Sequence, residues 1–292
     1  MQSLAFKQVD VFTEQRYKGN PVAVILQAGD LTTEQMQQIA NWTNLSETTF
    51  VLPATQPGAD YRVRIFTPSN ELPFAGHPTI GTAHALLEAG LIQANNGQLV
   101  QECAAGLINL QVTRQANGAQ WIAFELPQPG ITPVTDAELD ELQAILGAPV
   151  LREHTPCVID VGPRWLIAQM RDAQTVLSVM PDFSRMSAHD HRARTTGIVI
   201  FGAYPAGNAE HIEVRAFAPT CGPAEDPVCG SGNGAVAAFI RATGQTATLG
   251  HELLVSQGAA LGRAGKLRLS ISDNAIKVAG AAVTCLDGHL TP

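Results

Sequence analysis

The feature that most restricts this chain is a pattern that occurs twice. Val63-Arg64-Ile65-Phe66-Thr67-Pro68 returns as Val214-Arg215-Ala216-Phe217-Ala218-Pro219, an offset of 151 residues from Arg64 to Arg215. Glu71-Leu72-Pro73-Phe74-Ala75-Gly76 then returns as Glu225-Asp226-Pro227-Val228-Cys229-Gly230, offset by 154 from Gly76 to Gly230. The intervening loop is therefore three residues longer in the second copy, and each copy runs on into a segment of small residues ending at Gly90 or Gly244. In a chain of 292 residues the offset is close to half the length. Two matched blocks in the same order, half a chain apart, point to two structural units of one design. The rigid, turn-rich stretch PQPGITP at 127–133 is the expected boundary. It gives one domain over 1–127 and a second over 128–278, with a last strand, about 279–292, that a duplicated barrel would allow to return to the first.

Both halves read as strand-rich. Alternating or β-branched runs occur at 4–12, 21–26, 48–52, 61–67, 98–102, 107–113 and 120–126. They resume at 157–161, 165–170, 197–203, 211–217, 252–256, 266–272 and 275–285. Four helices are expected. Residues 33–43 follow Thr32 with Gln35 three positions on, and 136–146 follow Thr135 with Glu138 three positions on; each is a capping box. Both are amphipathic and belong on surfaces. The other two, about 78–89 and 232–243, are small and apolar nearly all round, as GTAHALLEAG and GAVAAFIRATG show. A helix apolar on every face is buried. The expected fold is α+β, with two similar domains, each a strand barrel wrapped around one buried helix, and an active site between them.

Composition decides which partners such a chain can take. Hydrophobic residues are 45% and charged residues 15%, enough for two cores and against disorder. Eighteen Lys and Arg against 26 Asp and Glu leave a net charge of −8, which speaks against a nucleic-acid partner. No apolar run approaches the ~20 residues of a membrane span, and MQSLAFKQVDVF does not read as a leader. The expectation is a soluble, cytoplasmic protein. Its five cysteines, Cys103, Cys157, Cys221, Cys229 and Cys285, are scattered and contain no C-x-x-C, so neither a disulfide framework nor a zinc site is expected.

An acidic protein can still hold an anion through backbone amides. A buried helix that opens at a Gly-rich loop presents unpaired N–H groups and the positive end of its dipole. Two facing domains would aim two such starts at one small carboxylate. The side chains around them are His77 in FAGHPTIG, Asp226 and Ser231 in EDPVCGSGNG, and Glu47 in NLSETTF. Glu47 lies between Leu45 and Phe50, and apolar surroundings would raise its pKa toward proton transfer near neutrality; it also reads as a solvated turn acid or cap. His77 can cap a helix or shuttle a proton. Asp226 precedes Pro227 and can simply make a turn, and Ser231 can be an N-cap. Cys229 stands where a helix start would favour a thiolate. Its counterpart is Ala75, so a two-cysteine racemising pair is absent, and a structural role is the expectation.

Two lookalikes carry less. Gly230-Ser231-Gly232-Asn233-Gly234-Ala235 fits G-x-G-x-x-A, with Glu252 twenty residues after Gly232, yet Pro223–Pro227 before it is no strand entering a tight turn. His189-Asp190-His191 lacks a third ligand at helical spacing and reads as a polar loop.

NPVAVI (20–25), LSETTFV (45–51), IFTPSNELPFAGHPTIGTA (65–83) and VRAFAP…EDPVCGSGNGAVAAF (214–239) resemble the PhzF phenazine-biosynthesis-like family over essentially the full length. The resemblance implies the two-domain fold of diaminopimelate epimerase, a homodimer, and isomerisation of a dihydro-hydroxyanthranilate without metal or organic cofactor. It assigns proton transfer to Glu47 and puts His77, Asp226 and Ser231 at the substrate's carboxylate and polar groups. Gly76, Gly230 and Gly232 would supply backbone at the two helix starts. One departure stands out. Many relatives have threonine where this chain has Cys229, and the epimerase branch of the fold carries a cysteine just before the corresponding glycine. An amino-acid epimerase using Cys229, and a small-acid-binding protein without chemistry, are the rival readings.

Overall fold

The computed structural model describes residues 3–116 and 118–292, so the first two residues of the segment read for a leader fall outside it. The chain divides into two compact units, Met1–Glu125 with Ala279–Pro292, and Leu126–Val278.

The first unit contains β1 (Leu4–Val11), β2 (Asn20–Ile25), α1 (Thr33–Thr43), β3 (Thr48–Leu52), β4 (Tyr61–Phe66), β5 (Glu71–Leu72), α2 (Gly76–Glu88), β6 (Gln98–Cys103), β7 (Gly106–Arg114) and β8 (Gln120–Glu125). The second contains β9 (Gly130–Pro133), α3 (Asp136–Leu146), β10 (Cys157–Asp160), β11 (Arg164–Gln169), α4 (Ala173–Ser178), α5 (Phe183–Ala193), β12 (Gly197–Ala203), β13 (Ile212–Phe217), β14 (Glu225–Asp226), α6 (Gly230–Ala242), α7 (Thr246–Leu249), β15 (Glu252–Gln257) and β16 (Gly265–Ile271). A long last strand, β17 (Ile276–Leu290), starts in the second unit and ends in the first.

The duplication seen in the sequence is a duplication of strand pairing. In the first unit β1–β2 is antiparallel, β2–β3 parallel, β3–β4 antiparallel, β4–β6 parallel and β6–β7 antiparallel. The second repeats this order as β10–β11, β11–β12, β12–β13, β13–β15 and β15–β16, with the same senses. In the first unit β7 pairs with β8, and β17 pairs with both β8 and β1, which closes an eight-stranded barrel. The fold is the expected α+β arrangement of strand barrels around buried helices.

Each central helix is buried because its residues are small and apolar. α2 packs on β1, β2, β3 and β8 of its own barrel, and α6 on β10, β11, β12 and β16. A Cβ at Gly81 would come within 2.4 Å of Val22 Cγ1, so only glycine lets α2 lie this close to β2. Large side chains such as Ile80 and Phe239 are fully buried, each worth ~1.5–3 kcal/mol of apolar transfer. Outside the barrels, α1 covers Ile25, Phe50 and Phe66 with Met36 and Ala40. α3, α4 and α5 cover β11 and β12 through Leu142, Ile145, Val176 and Met186. Both capping boxes form as expected, at Thr32 with Gln35 and at Thr135 with Glu138.

The structure corrects three local readings. Gly130–Pro133, within the stretch read as a bare linker, is a strand whose partners run from Asp160 to Cys157. Proline is tolerated there because it ends a short strand. The segment holding His189, Asp190 and His191 is helix, not loop. Asp182 caps its start by accepting from Arg185 N at 2.9 Å, a signal the weak apolar pattern of α5 hides. Both central helices begin two residues earlier than expected, at Gly76 and Gly230. No helix among the described residues is long and apolar enough to cross a membrane.

Candidate functional site

In the first unit the structure brings Glu47 and His77 together. α1 stops at Asn44, which takes a left-handed conformation at φ 54°, and the chain turns through Leu45 and Ser46 into β3. Glu47 is thereby held at the mouth of β3, its side chain 17% exposed, with Oε2 3.4 Å from His77 Nε2. Burial pushes its carboxyl up from the usual 4.5 to about 7, and a hydrogen bond with Ser46 works in the opposite direction. A carboxyl tuned to neutral pH can both take and give a proton there. His77 is the second residue of α2, and Asn20 Nδ2 lies 3.4 Å from its Nδ1. With that amide donating to Nδ1, the neutral ring carries its hydrogen on Nε2, the side facing Glu47.

The second unit gathers Asp226, Cys229 and Ser231. Asp226 Oδ1 accepts from Val228 N at 3.0 Å, so the aspartate does make the turn that Pro227 suggests. The N-cap of α6 is Cys229, not Ser231: Cys229 Sγ accepts from Gly232 N at 3.2 Å. That bond engages the Gly232 amide, so of the three glycines expected to offer backbone only Gly76 and Gly230 keep amides without an intrahelical acceptor. Pro78 has no N–H in the first unit, and the Gly232 amide is occupied in the second. At the third position, then, neither helix start has an amide to offer. A Cβ at Gly76 would lie 2.6 Å from Phe124 Cζ, which accounts for that glycine by packing. Cys229 is 4% exposed, and burial, then the charge of Asp226, push its thiol well above the ordinary range. The thiol is protonated at neutral pH.

Pairing across strands reveals residues that motif reading missed. Trp165 Nε1 donates to Ser231 Oγ at 3.0 Å. Gln257 Oε1 accepts from Cys229 N at 3.1 Å and from Asn233 Nδ2 at 2.7 Å, while its Nε2 donates to Asp226 O at 2.9 Å. The loop between Asp226 and Cys229 is thus clipped to β15. The first unit has the same device in reduced form, since Gln101 on β6 donates to Thr79 Oγ1 at 2.9 Å. Thr79 and Asn233 hold the same place in their helices, the fourth. A Gln stands in each post-helix strand and is buried there, but only the register shows what it reaches.

The two lookalikes are placed differently. Gly230–Ala235 lies inside α6, entered from the Pro227–Cys229 loop. His189 Nδ1 sits 3.3 Å from Asp190 Oδ1, and Asp190 also accepts from Thr195 Oγ1 at 2.9 Å, closing the end of α5. Among the described residues no group of three or more His, Cys, Asp and Glu is arranged to hold a metal ion.

With this geometry in view, the family model for phenazine biosynthesis-like proteins (PhzC–PhzF) matches residues 9–288. The chain belongs to this family. A Schizosaccharomyces pombe relative, antisense-enhancing sequence 1, is 41% identical over 292 residues, covering 97% of each chain. The trans-2,3-dihydro-3-hydroxyanthranilate isomerase of Pseudomonas aeruginosa is 34% identical over 262 residues, covering 89% of this chain and 87% of its own. Among solved structures, a Bacillus anthracis phenazine biosynthesis protein of the PhzF family superposes over 100% of both chains with a TM-score of 0.86 and 25% identity. In this PhzF-family chain Glu47 stands in LSETTF and His77 in the G-H-P loop.

Proposed function

We propose that this PhzF-family protein is a cofactor-independent isomerase that moves a proton between carbons of a small carboxylate. Glu47 is the proton carrier. Its carboxyl, raised to about 7 by burial and set 3.4 Å from His77, is the observation that carries the reading. As a carboxylate it abstracts the proton from an acidified C–H; as the resulting acid it returns that proton to a different carbon, so nothing is consumed. His77, with Nε2 3.4 Å from Glu47 Oε2, steadies the charge on Glu47. Asp226 and Ser231 hold the substrate's polar groups, with the Gly76 and Gly230 amides at its carboxylate. The named isomerase relatives make a dihydro-hydroxyanthranilate the first compound to test. The same reading places the protein in the cytoplasm as a homodimer, with neither nucleic acid nor membrane as partner.

The epimerase alternative asks Cys229 to be a base. A buried thiol pushed far above its ordinary range, already capping α6 by accepting from the Gly232 amide, is poorly suited to that role.

The test is proton NMR in D₂O with trans-2,3-dihydro-3-hydroxyanthranilate as substrate. Wild-type protein is expected to place deuterium on a ring carbon, with kcat/KM rising with pH toward about 7 as Glu47 ionises. Glu47→Gln is expected to lose ~10²–10⁴-fold in turnover, the usual contribution of one placed acid or base, while keeping its fold. Wild-type turnover in that variant would end the assignment. Binding of the acid with no exchange in either protein would favour the non-catalytic reading.

A further inference from the structure

Ser231 does not choose freely how it hydrogen-bonds. Trp165, 3% exposed on β11, sets its indole nitrogen 3.0 Å from Ser231 Oγ. An indole N–H only donates, so the serine oxygen accepts on that side and its own hydrogen is left for another acceptor. Cys229 Sγ, 3.6 Å away, is a weak acceptor that already receives the Gly232 amide. An anionic oxygen is a far stronger one, and the Gly230 and Ser231 amides open at the same helix start. The first unit does the equivalent. Strand registers match β11 to β2, and β2 sends Asn20 to His77, the residue of α2 that corresponds to Ser231. In both units, then, the second barrel strand contributes a side-chain amide or indole nitrogen to the second residue of the central helix.

We propose that Trp165 is a positioning residue that fixes Ser231 as a hydrogen-bond donor, so that the start of α6 takes a carboxylate oxygen of the substrate and turns away a donor such as an ammonium group. This rests on the site described under the proposed function and adds the polarity that one part of it selects.

The experiment uses the full chain with ¹⁵N-labelled tryptophan, whose three indoles give three resolvable signals. The probes are 3-hydroxyanthranilate and 2-aminophenol, which is the same ring without its carboxylate. Ser231→Ala is expected to shift the signal that Trp165→Phe removes. Trp165→Phe is expected to weaken 3-hydroxyanthranilate about five- to tenfold, the scale of one hydrogen bond, and to leave 2-aminophenol unchanged. In the Ser231→Ala background the same substitution should cost nothing further. A thermal melt of Trp165→Phe separates lost packing from lost binding, because a packing defect would weaken both probes alike. Equal loss for both probes, additive losses in the double variant, an unmoved indole signal, or no binding of 3-hydroxyanthranilate to wild type would each overturn the inference. Carboxylate-selective binding through this pair with no deuterium exchange would retain it and remove the isomerase. Exchange that is indifferent to Trp165 would do the reverse.

Discussion

The same clamp appears in both units in opposite surroundings. In the first, Arg64 pairs with Glu71 through two bonds of 2.7 and 2.6 Å, lies over Phe66 at 5.0 Å, and reaches Thr33 Oγ1 of α1 at 2.9 Å. In the second, Arg215 pairs with Glu225 at 2.9 and 2.8 Å, lies over Phe217 at 4.9 Å, and reaches the carbonyls of Val176 and Val179 at 3.2 and 2.6 Å. The first pair is 25% and 34% exposed, the second 5% and 7%. The matched positions that reveal the duplication therefore build scaffold, a strand–arginine–helix tie made twice. The candidate chemistry sits where the copies diverge. Registers against β4 and β13 place Gly197 opposite Glu47 in the repeat, and a Cβ at Gly197 would lie 1.9 Å from Phe217 O. The second unit has no room for an acid at that position. His77 corresponds to Ser231, and Ala75 to Cys229.

Removing one acid from each clamp tests the contrast most severely. Glu225→Ala leaves a guanidinium buried and unpaired and is expected to cost ~3–5 kcal/mol in urea unfolding. Glu71→Ala, at a solvated pair, should cost ~1 kcal/mol or less. Equal losses would show that the clamp matters equally in both units. Next comes the acid found in one unit alone. A carboxyl whose pKa is raised by folding favours the folded state fully below its unfolded value, near 4.5, and that advantage is lost as pH rises through about 7. Stability should thus fall by ~3 kcal/mol across that window, and Glu47→Gln should flatten the slope. A slope that persists in the variant would place its origin elsewhere. Smallest is Cys229→Ser, which keeps an N-cap acceptor at α6. It should change stability by ~0.5 kcal/mol or less and leave turnover near wild type. Crippled turnover in that variant would revive the epimerase reading.

The sequence was most legible where the physics is local. Capping boxes depend on residues three apart, and the buried helices declare themselves by having no polar face. Glu47 and His77 stand in short segments whose chemistry is visible without a fold. What stayed hidden depends on register. Trp165 precedes Ser231 by 66 positions, and Gln257 follows Cys229 by 28. Nothing in either segment announces the meeting. The role of N-cap fell to Cys229 and not to Ser231 because α6 starts two residues sooner than its apolar pattern suggests. α4 and α5 were missed because their few apolar residues make a weak helical pattern, which hides the aspartate caps at Asp172 and Asp182.

The path of β17 sets an order of events during synthesis. β1 pairs with β17 from Leu4 opposite Leu290 to Val11 opposite Ala282, so one of the earliest strands made waits for one of the last. At ~5–20 residues added per second, β1 leaves the ribosome many seconds before its partner exists. Over that interval the first barrel is an open sheet with a bare edge, whereas the strands from β9 to β16 are all made before β17. The half of the molecule that carries Glu47 is begun first and closed last.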